Sequence, residues 1–576
     1  MSLTGRRGIL SPMIQDQIRK DLVKICQKLK VNPSKLVLEH PADPQHGDYA
    51  TNIAMHSWHN GYNSPFDLAE KIINTWRSDG LPSYLAKIEV AKPGFINLWL
   101  EKDFLISQIE EVIKKRNLPK NKLQKGIMVE FAHPNTHKQF HIGHLRNICL
   151  GEVICRLLEA NKQTVFRANY QGDVGMHVAK CLWGILKLKR TNPRSLDKKI
   201  ELLGKSYVKG SKAYEEDEKA KIEIEDLNKK LYGQDKTIMP LWKETRNWSL
   251  AYFDEIYQRL GTKFDRLYFE SQVADEGKKI VLQNLKKKIF KQSEGAIIFP
   301  GEKYGLHNRV FINQKSLPTY EAKDMALAKR QFDDFSPLKI IHVVGPEQRG
   351  YFEVVFKALE QVFPKLTGKE YHLSYGWVRL KNGKMSSRSG KVVLGEWLLN
   401  EAKKRLTKQF KMTEKVAEKV AVGAVKYSML KFSPQTELVF DINESLNIEG
   451  DSGPYLQYTY ARCQSVLIKS GRDLKKEEFN FPHLHLDIKT EEQNLLRTIY
   501  KFPEVIQQAG EKFSPNLICS FLFDLTQKYN VFYNRLSILK ADEAELISFR
   551  LFLTLAVSQV IKNGLQLLGI EAPEKM

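Results

Sequence analysis

Residues 127–147 read IMVEFAHPNTHKQFHIGHLRN, and this stretch decides the fold. Residues 127–131 are an apolar run of strand length, and apolar residues then recur at helical spacing from Leu145 to Leu158. A second short apolar run follows at 164–166. The order of strand, tight loop, helix and strand predicts the start of a parallel α/β sheet with a nucleotide crevice.

Two histidines, His141 and His144, fall at the N-terminus of that predicted helix. Unpaired backbone N–H groups and the helix dipole favour anions there. Histidines three positions apart can both face a triphosphate, and Gly143 between them leaves room for a flat base. The tetrapeptide HIGH is a weak signal by itself, because a helix can also begin with two surface histidines.

A second motif lies at 376–390, where the chain reads GWVRLKNGKMSSRSG. Its polar, glycine-flanked character predicts a loop rather than a strand. A lysine with small hydroxyls on such a loop can close over the pyrophosphate of ATP as charge builds there. The alternative is an ordinary basic surface loop.

The two motifs, in this order and a domain's length apart, resemble the HIGH motif and the KMSKS-like loop of class I aminoacyl-tRNA synthetases. Further segments resemble the arginyl members of that family, in the family's order and over nearly the whole chain: 47–52, 93–97, 134–138, 169–175, 264–271, 320–324, 344–348 and 453–462. The resemblance implies an arginine–tRNA ligase of protein biosynthesis. Such an enzyme activates L-arginine with ATP to arginyl-adenylate and transfers it to the 3′ end of tRNA(Arg), releasing AMP and pyrophosphate.

The pattern of elements and the resemblance together predict an α/β protein of three domains. Residues 1–122 mix an amphipathic helix with strand-like pieces, and the resemblance assigns this small α+β domain to the corner, or D-loop, of tRNA. Residues 126–395 are predicted to hold a Rossmann-like parallel-sheet catalytic domain with a helical insertion at about 180–260. Residues 396–576 are predicted to form an all-α bundle, which the resemblance implies binds the anticodon.

Charge and cysteine usage agree with this interpretation. The 576 residues carry a formal net charge of +23, which suits a polyanion such as tRNA, although a lysine-rich proteome would give the same excess. Six scattered cysteines form no CxxC pair, so we expect neither structural zinc nor disulfides. The sequence contains no evident signal-peptide core or run of membrane-spanning length. We therefore expect a cytoplasmic protein with no membrane partner, and a monomer.

By resemblance, the two motifs hold ATP. His141 and His144 would bind phosphate oxygens as the α-phosphorus becomes five-coordinate, and Lys138 would reach the same phosphates. Beside them, Gly143 belongs to the same ATP site. The pyrophosphate would be clamped by Lys384, Met385, Ser386 and Ser387. Mg²⁺ is expected to arrive with ATP, and the sequence offers no dedicated set of metal ligands.

The resemblance also assigns an arginine pocket. Free arginine presents a planar cation with five donors, which carboxylates can meet. Glu270 and Asp324 would bind the guanidinium, and Tyr320, four residues before Asp324 on a helix, would pack along the side chain. The α-amino and carboxylate end would be held by Glu130, Asn135 and Gln348. Taken singly, each acid could instead form a surface salt bridge.

The chain departs from the arginyl pattern at a few positions near these sites. The second lysine of the KMSKS pattern is Ser387, and a valine, Val174, replaces a usual tryptophan. His133 stands where a small residue is common, and Tyr351 where a histidine is frequent. These changes leave the charged groups in place, although which lysine dominates at the phosphates stays open.

RNA recognition is expected at both ends of the chain. By resemblance, Phe95 and Asn97 would face an unstacked base from a strand, although Phe95 could equally be core. Farther on, aromatic and polar residues interleave, and the tRNA-binding candidates there are Gln457, Tyr460 and Arg462. The stretch 401–420, with seven Lys/Arg against three Glu, could contact RNA or be one solvated helix face.

Two alternatives stay open. One is another class I synthetase, such as a glutamyl or cysteinyl enzyme, against which the lack of a zinc-ligand cluster and the pair Tyr320 and Asp324 argue. The other is a non-catalytic tRNA-binding paralogue, against which the intact HIGH motif and the lysines Lys138 and Lys384 argue.

Overall fold

The N-terminal part of the chain is a small α+β unit. The computed structural model describes residues 13–59, 61–114, 126–188, 193–381, 393–474, 476–479, 481 and 487–576. The first elements are α1 (Ile14–Lys28), β1 (Tyr49–Thr51), α2 (Ile53–Ser57), α3 (Pro65–Ser78), β2 (Leu85–Ala91), β3 (Phe95–Leu100) and α4 (Lys102–Lys114). The strands form an antiparallel sheet in the order β1-β3-β2, and the predicted amphipathic helix is confirmed as α1.

The middle of the chain contains the predicted parallel sheet. Its elements are β4 (Ile127–Glu130), α5 (Ile142–Ala160), β5 (Val165–Gln171), α6 (Met176–Lys187), α7 (Leu196–Glu216), α8 (Glu218–Tyr232), α9 (Met239–Arg259), β6 (Arg266–Phe269), α10 (Glu270–Leu285), β7 (Lys291–Ser293), β8 (Ala296–Phe299), β9 (Arg309–Ile312), α11 (Tyr320–Phe335), β10 (Lys339–Val344), α12 (Arg349–Val362), β11 (Glu370–Ser374) and β12 (Val378–Leu380). Helices α6 to α9 correspond to the helical insertion predicted at about 180–260.

The order of the strands locates the cleft. The five-stranded sheet runs β11-β10-β4-β5-β6, and every neighbouring pair in it is parallel. All four residues of β4 are buried, as expected for a central strand with both faces covered. The chain order reverses at β4, whose neighbours are β5 and β10. In such sheets ligands bind beyond the carboxyl ends of the strands at the reversal, which here is the loop that follows Glu130.

Among the residues that the structure describes, the C-terminal region is helical except for one short strand. Its elements are α13 (Gly395–Phe410), α14 (Glu414–Leu430), β13 (Leu438–Phe440), α15 (Ile442–Ser445), α16 (Gly453–Lys469), α17 (Thr490–Ile499), α18 (Phe502–Glu511), α19 (Asn516–Arg535) and α20 (Ala544–Leu567). Strand β13 pairs in parallel with β12, so the prediction of an all-α region from 396 onward is corrected at this strand. Three residues are too few to produce a recognisable period in the sequence.

The last helix corrects the expectation that no segment of membrane-spanning length exists. By length and composition, α20 could cross a bilayer. Most of its residues are nevertheless buried inside the fold, where it packs against α4, α16, α17 and α19. A helix that is apolar on all sides is also what the core of a helical bundle requires, so its hydrophobicity has a structural cause.

A buried carboxylate joins the first and last parts of the chain. Glu504 of α18 is 2% exposed and accepts a hydrogen bond from the Tyr49 hydroxyl of β1. The Nε2 atom of His40 lies 3.0 Å from the same carboxylate. Nearby, Arg497 of α17 forms an ion pair of 3.3 Å with the buried Asp48. The small α+β unit is therefore fastened to the helical bundle by buried polar contacts.

Candidate active site

Helix α5 begins at the histidine pair. His141 is its N-cap residue, and the Nδ1 atom of His141 accepts a hydrogen bond from the backbone N–H of Gly143 at 3.1 Å. The Nδ1 atom of His144 accepts one from the backbone N–H of His141, also at 3.1 Å. A Cβ at position 143 would lie 2.9 Å from Cε1 of His141, so only glycine leaves room for this ring. The HIGH tetrapeptide thus builds a reciprocal helix cap.

Both imidazoles are neutral at physiological pH. Burial and the nearby charge of Lys138 lower the pKa of His141 to about 4. Burial and the neighbouring His141 hold the pKa of His144 well below its usual range. Because Nδ1 accepts a hydrogen bond in each ring, the proton of each neutral ring is on Nε2. The ring centroids are 3.8 Å apart, so the pair offers two adjacent N–H donors at a helix N-terminus.

The second motif lies between two described segments, which end at residue 381 and resume at residue 393. Its predicted site residues lie outside the described residues: Lys384, Met385, Ser386 and Ser387. The chain that follows them is hydrogen-bonded to the HIGH segment, since the Ile142 N–H donates to the Val393 carbonyl at 3.1 Å and the Gly395 N–H to the Phe140 carbonyl at 2.9 Å. The first motif, at 141–144, is therefore joined by backbone hydrogen bonds to the residues directly after the second.

Lys138 lies in the same loop as the histidines but faces the insertion. Its ammonium is 4.7 Å from the centroid of the Tyr207 ring in α7. Its charge is close enough to lower the pKa of both His141 and His144. Lys138 is therefore a cation near the two N–H donors, and its contact with a phosphate stays a prediction.

The side chains of Asn135 and Glu270 both lie against Gly172. Asn135 is in the loop after β4, and Glu270 is the first residue of α10, which follows β6. An ideal Cβ on Gly172 would lie 2.2 Å from Oδ1 of Asn135 and 3.1 Å from Oε1 of Glu270. Both oxygens therefore rest against the bare backbone of Gly172. Two residues predicted for different ends of the arginine molecule are neighbours in space.

Glu270 already has a cation beside it. The ammonium of Lys323 donates to Oε2 of Glu270 at 2.7 Å and to the Tyr232 hydroxyl at 2.9 Å. Burial raises the pKa of the Glu270 carboxyl, and the charge of Lys323 opposes that rise. Tyr320 begins the same helix as Lys323 and is 55% exposed, so its ring is accessible to a ligand.

Asp324 follows Lys323 and differs from Glu270 in its surroundings. Its Oδ2 accepts a hydrogen bond of 2.6 Å from the Tyr351 hydroxyl. Within the part of the chain that the structure describes, no ion pair engages it. Burial raises the pKa of Asp324 to about 7, and the nearby Glu130 and Glu270 add to the rise. A cationic ligand would supply the charge partner that this carboxylate lacks.

Glu130, at the end of β4, is held by two residues of the neighbouring elements. His342 of β10 contacts its Oε1 at 2.9 Å through Nδ1, and Gln331 of α11 donates to its other oxygen. The other ring nitrogen of His342 lies 2.7 Å from Glu370 of β11. Burial alone would lower the pKa of His342, but the two carboxylates raise it to about 10. Gln348 is half-buried in the turn after β10, at the same edge of the sheet.

The sequence interpretation missed Lys323 and His342 as parts of this site. Each of the two residues has a signal in the sequence that could have identified it. His342 interrupts the apolar run of a strand buried by its neighbours, where a polar side chain needs a partner. Lys323 stands between Tyr320 and Asp324, which were both assigned to the pocket, on a helix that starts at its edge.

The predicted RNA contacts divide into accessible and buried residues. Phe95 is half-buried, on the face of β3 away from the core residues Ile96 and Leu98. Asn97 lies on the same face but is only 5% exposed, so the prediction that it contacts RNA is corrected. In α16, Gln457 is fully buried and Tyr460 is 2% exposed. The amide of Gln457 donates to backbone carbonyls of Lys419 and Glu571. The prediction that Gln457 and Tyr460 contact RNA is therefore corrected, because they pack the bundle together.

Arg462 is the member of that group that lies at the surface. Its guanidinium is 5.0 Å from the ring centroid of Tyr458 and 4.9 Å from that of Tyr533, which is in α19. Both tyrosines are more than one third exposed. An arginine between two accessible aromatic rings is a surface on which unstacked bases can bind.

Three family models match the chain, in agreement with this geometry. Residues 108–442 match the class I (R) tRNA synthetase catalytic domain. Residues 13–100 match the arginyl-tRNA synthetase N-terminal domain, and residues 456–576 match the DALR anticodon binding domain. The three matches follow the order of the α+β unit, the parallel sheet and the helical bundle.

Similar sequences and solved structures point to the same family. An arginine–tRNA ligase of Parabacteroides distasonis is 33% identical over 85% of this chain and 88% of its own length. One from Treponema denticola is 32% identical over 98% of both chains. The arginyl-tRNA synthetase structure from Thermus thermophilus superimposes with a TM-score of 0.81 at 23% identity, covering 98% of this chain and all of its own. A methionyl-tRNA synthetase from Mycobacterium tuberculosis, at 12% identity, gives a TM-score of 0.51 over 78% of this chain and 92% of its own.

Proposed function

This chain belongs to the arginyl-tRNA synthetases, and we propose that the cleft beyond β4 activates L-arginine with ATP and passes the arginyl group to the 3′ end of tRNA(Arg), with release of AMP and pyrophosphate. One observation carries the proposal. A pair of uncharged N–H donors, at His141 and His144, opens on the same sheet edge as the acidic residues Glu270 and Asp324. The first suits phosphates and the second suits a guanidinium.

The activation step needs positioning more than covalent chemistry from the protein. The arginine carboxylate attacks the α-phosphorus, and charge develops on the phosphate oxygens as pyrophosphate leaves. His141 and His144 would donate to those oxygens through Nε2, at no cost of reorganisation because their caps already fix both rings. Lys138 would add a positive charge. Pyrophosphate would be held from the second motif by Lys384, Met385, Ser386 and Ser387, and Mg²⁺ would enter bound to ATP.

Selection of arginine would follow from the acidic side of the cleft. Asp324 and Glu270 would accept guanidinium N–H donors, with the exposed Tyr320 ring along the side chain. The α-amino and carboxylate end would be held by Glu130, Asn135 and Gln348. Fixed acceptors reject amino acids that lack the matching donors by about 10⁴-fold or more, so no editing step is needed.

tRNA would be held at both ends of the chain. The N-terminal unit would meet the corner of tRNA through the half-buried Phe95 on β3, and the helical bundle would meet the anticodon at Arg462 with its two tyrosines. The protein would act as a cytoplasmic monomer with no membrane partner. Size-exclusion chromatography with light scattering tests the monomer directly, since one chain has a mass of 66.6 kDa.

The decisive experiment is aminoacylation with each amino acid in turn. The purified chain is incubated with ATP, Mg²⁺, tRNA and one labelled amino acid, and acid-precipitable label is counted. Charging with arginine alone is expected. Charging with another amino acid would favour a different class I synthetase, whereas tRNA binding without any charging would favour a non-catalytic paralogue. Pyrophosphate exchange with and without tRNA then reports whether activation requires bound tRNA.

A further inference from the structure

Lys323 is enclosed by the walls of the proposed arginine pocket. Its side chain is 4% exposed and its ammonium donates to Glu270 at 2.7 Å and to Tyr232 at 2.9 Å. The same ammonium lies 4.9 Å from the ring centroid of Tyr320 and 5.4 Å from that of Tyr232. Two oxygen acceptors and the ring of Tyr320 therefore surround it, which is an environment that retains a buried cation.

The pair joins two closely packed helices. Glu270 begins α10 and Lys323 lies in the first turn of α11, and these two helices pack closely. A Cβ at Gly277 of α10 would lie 2.1 Å from the carbonyl oxygen of Ala322, so the helices touch through a glycine. Separating Lys323 from Glu270 would leave two uncompensated buried charges, which is strongly unfavourable. The pair is thus a fixed part of the pocket wall.

Resting on the function proposed above, we infer that Lys323 is a positioning residue for arginine recognition. It remains in place when substrate binds and occupies Oε2 of Glu270. This leaves Oε1, on the side of Asn135 and Gly172, to accept one guanidinium N–H. It also sets the charge of the pocket. At the guanidinium end of the pocket, ionised Glu270 and Asp324 carry two negative charges and Lys323 cancels one of them.

The experiment compares steady-state aminoacylation by full-length variants. Lys323→Met is expected to raise the KM for arginine at least tenfold while kcat and the KM for ATP stay within about twofold. Lys323→Arg restores the charge and is expected to stay within about threefold of wild type. Lys329→Met is the matched control, because Lys329 and Glu276 form the same α11–α10 ion pair six residues farther along, at an exposed position. It should behave as wild type.

A double variant tests whether Lys323 acts through Glu270. If it does, K323M in an E270Q background adds nothing to the KM of E270Q alone. Should K323M fail to fold, K323Q takes its place, since its neutral and shorter side chain removes the charge beside Glu270, and a rise in the KM for arginine is again expected. An unchanged KM in the folded variant, additive effects in the double variant, or K323R as impaired as K323M would each overturn the inference. Wild-type protein that does not charge arginine would contradict the proposed function instead.

Discussion

The backbone N–H of His141 donates to Nδ1 of His144 at 3.1 Å, which fixes the tautomer of the second histidine as well as its orientation. The residue has two separable parts, an acceptor that caps the helix and a donor at Nε2. His144→Gln keeps a donor near the position of Nε2, and His144→Asn keeps only an acceptor near that of Nδ1. We expect pyrophosphate exchange to fall about 10²- to 10³-fold in His144→Asn and clearly less in His144→Gln, with tRNA affinity unchanged in both. Equal losses in the two variants, or a parallel loss of tRNA binding, would contradict this role.

The raised pKa of Asp324 predicts a pH-dependent KM. With its pKa raised to about 7 by burial, the carboxyl is increasingly protonated below that pH and cannot pair with a guanidinium. The KM for arginine should therefore rise about tenfold between pH 8 and pH 6, while the KM for ATP changes little. Asp324→Asn should raise the KM for arginine about 10- to 100-fold and remove this pH dependence. Equal rises in the two KM values would refute the assignment.

His342 predicts a pH-dependent stability. Its pKa is raised to about 10 between Glu130 and Glu370, so its stabilising contribution is fully present below the unfolded pKa of about 6.5 and is lost as the pH rises through about 10. His342→Gln should lower the free energy of unfolding by about 3 kcal/mol near neutral pH, because it leaves two buried carboxylates without their cation. The difference between wild type and variant, measured by urea unfolding, should shrink from pH 7 to pH 10. A difference that is constant with pH would contradict the charged form.

The pair Tyr458 and Tyr533 predicts a site of RNA binding. Replacing both by alanine should weaken tRNA binding at least about tenfold, since stacking of a base contributes roughly 1–3 kcal/mol. The fold and arginine-dependent pyrophosphate exchange at saturating tRNA should be retained. Val531→Ala, an exposed change on the same helix α19, is the control and should leave the Kd for tRNA unchanged. Filter binding or fluorescence anisotropy at a fixed salt concentration measures both.

Gln457 is expected to affect stability instead of RNA affinity. Its amide donates to the carbonyls of Lys419 at 3.2 Å and Glu571 at 2.7 Å, and both of these hydrogen bonds would be lost in Gln457→Ala. We expect the free energy of unfolding to fall by about 1–3 kcal/mol. The Kd for tRNA of the folded variant should stay within about twofold of wild type. A large rise in that Kd without loss of stability would restore Gln457 as an RNA contact.

The sequence predicted those parts of the site that depend on local order. The strand, the loop and the histidine-capped helix follow one another between Ile127 and Ala160, and each has its own periodicity or capping signal. The partners of the acidic residues could not be predicted in the same way. Glu130 and His342 are 212 positions apart, and Glu270 and Lys323 are 53 apart. Only the strand order, which puts β10 beside β4, and the packing of α10 on α11 bring them together.

Helix α16 illustrates a second limit of prediction from the sequence. Gln457, Tyr460 and Arg462 all lie within two turns, and all three looked equally suited to RNA. Which of them is buried depends on where α14, α19 and α20 pack against the helix, and this is tertiary information. The same limit applies to β13, whose three residues become a strand only because β12 lies beside them.

The carboxylate of Glu504 ties β1 to α18, so moving the described part of the N-terminal unit away from the helices at the other end of the chain would break buried polar contacts. These contacts therefore favour one spacing between the outer face of β3 and the aromatic surface of α16 and α19. A long bent molecule that contacts both surfaces must match the spacing between them. Because the contacts of Glu504 already favour this spacing, less entropy is lost in ordering the protein when such a molecule binds. Removing the contacts of Glu504 with Tyr49 and His40 should make binding of such a molecule less selective for its overall dimensions.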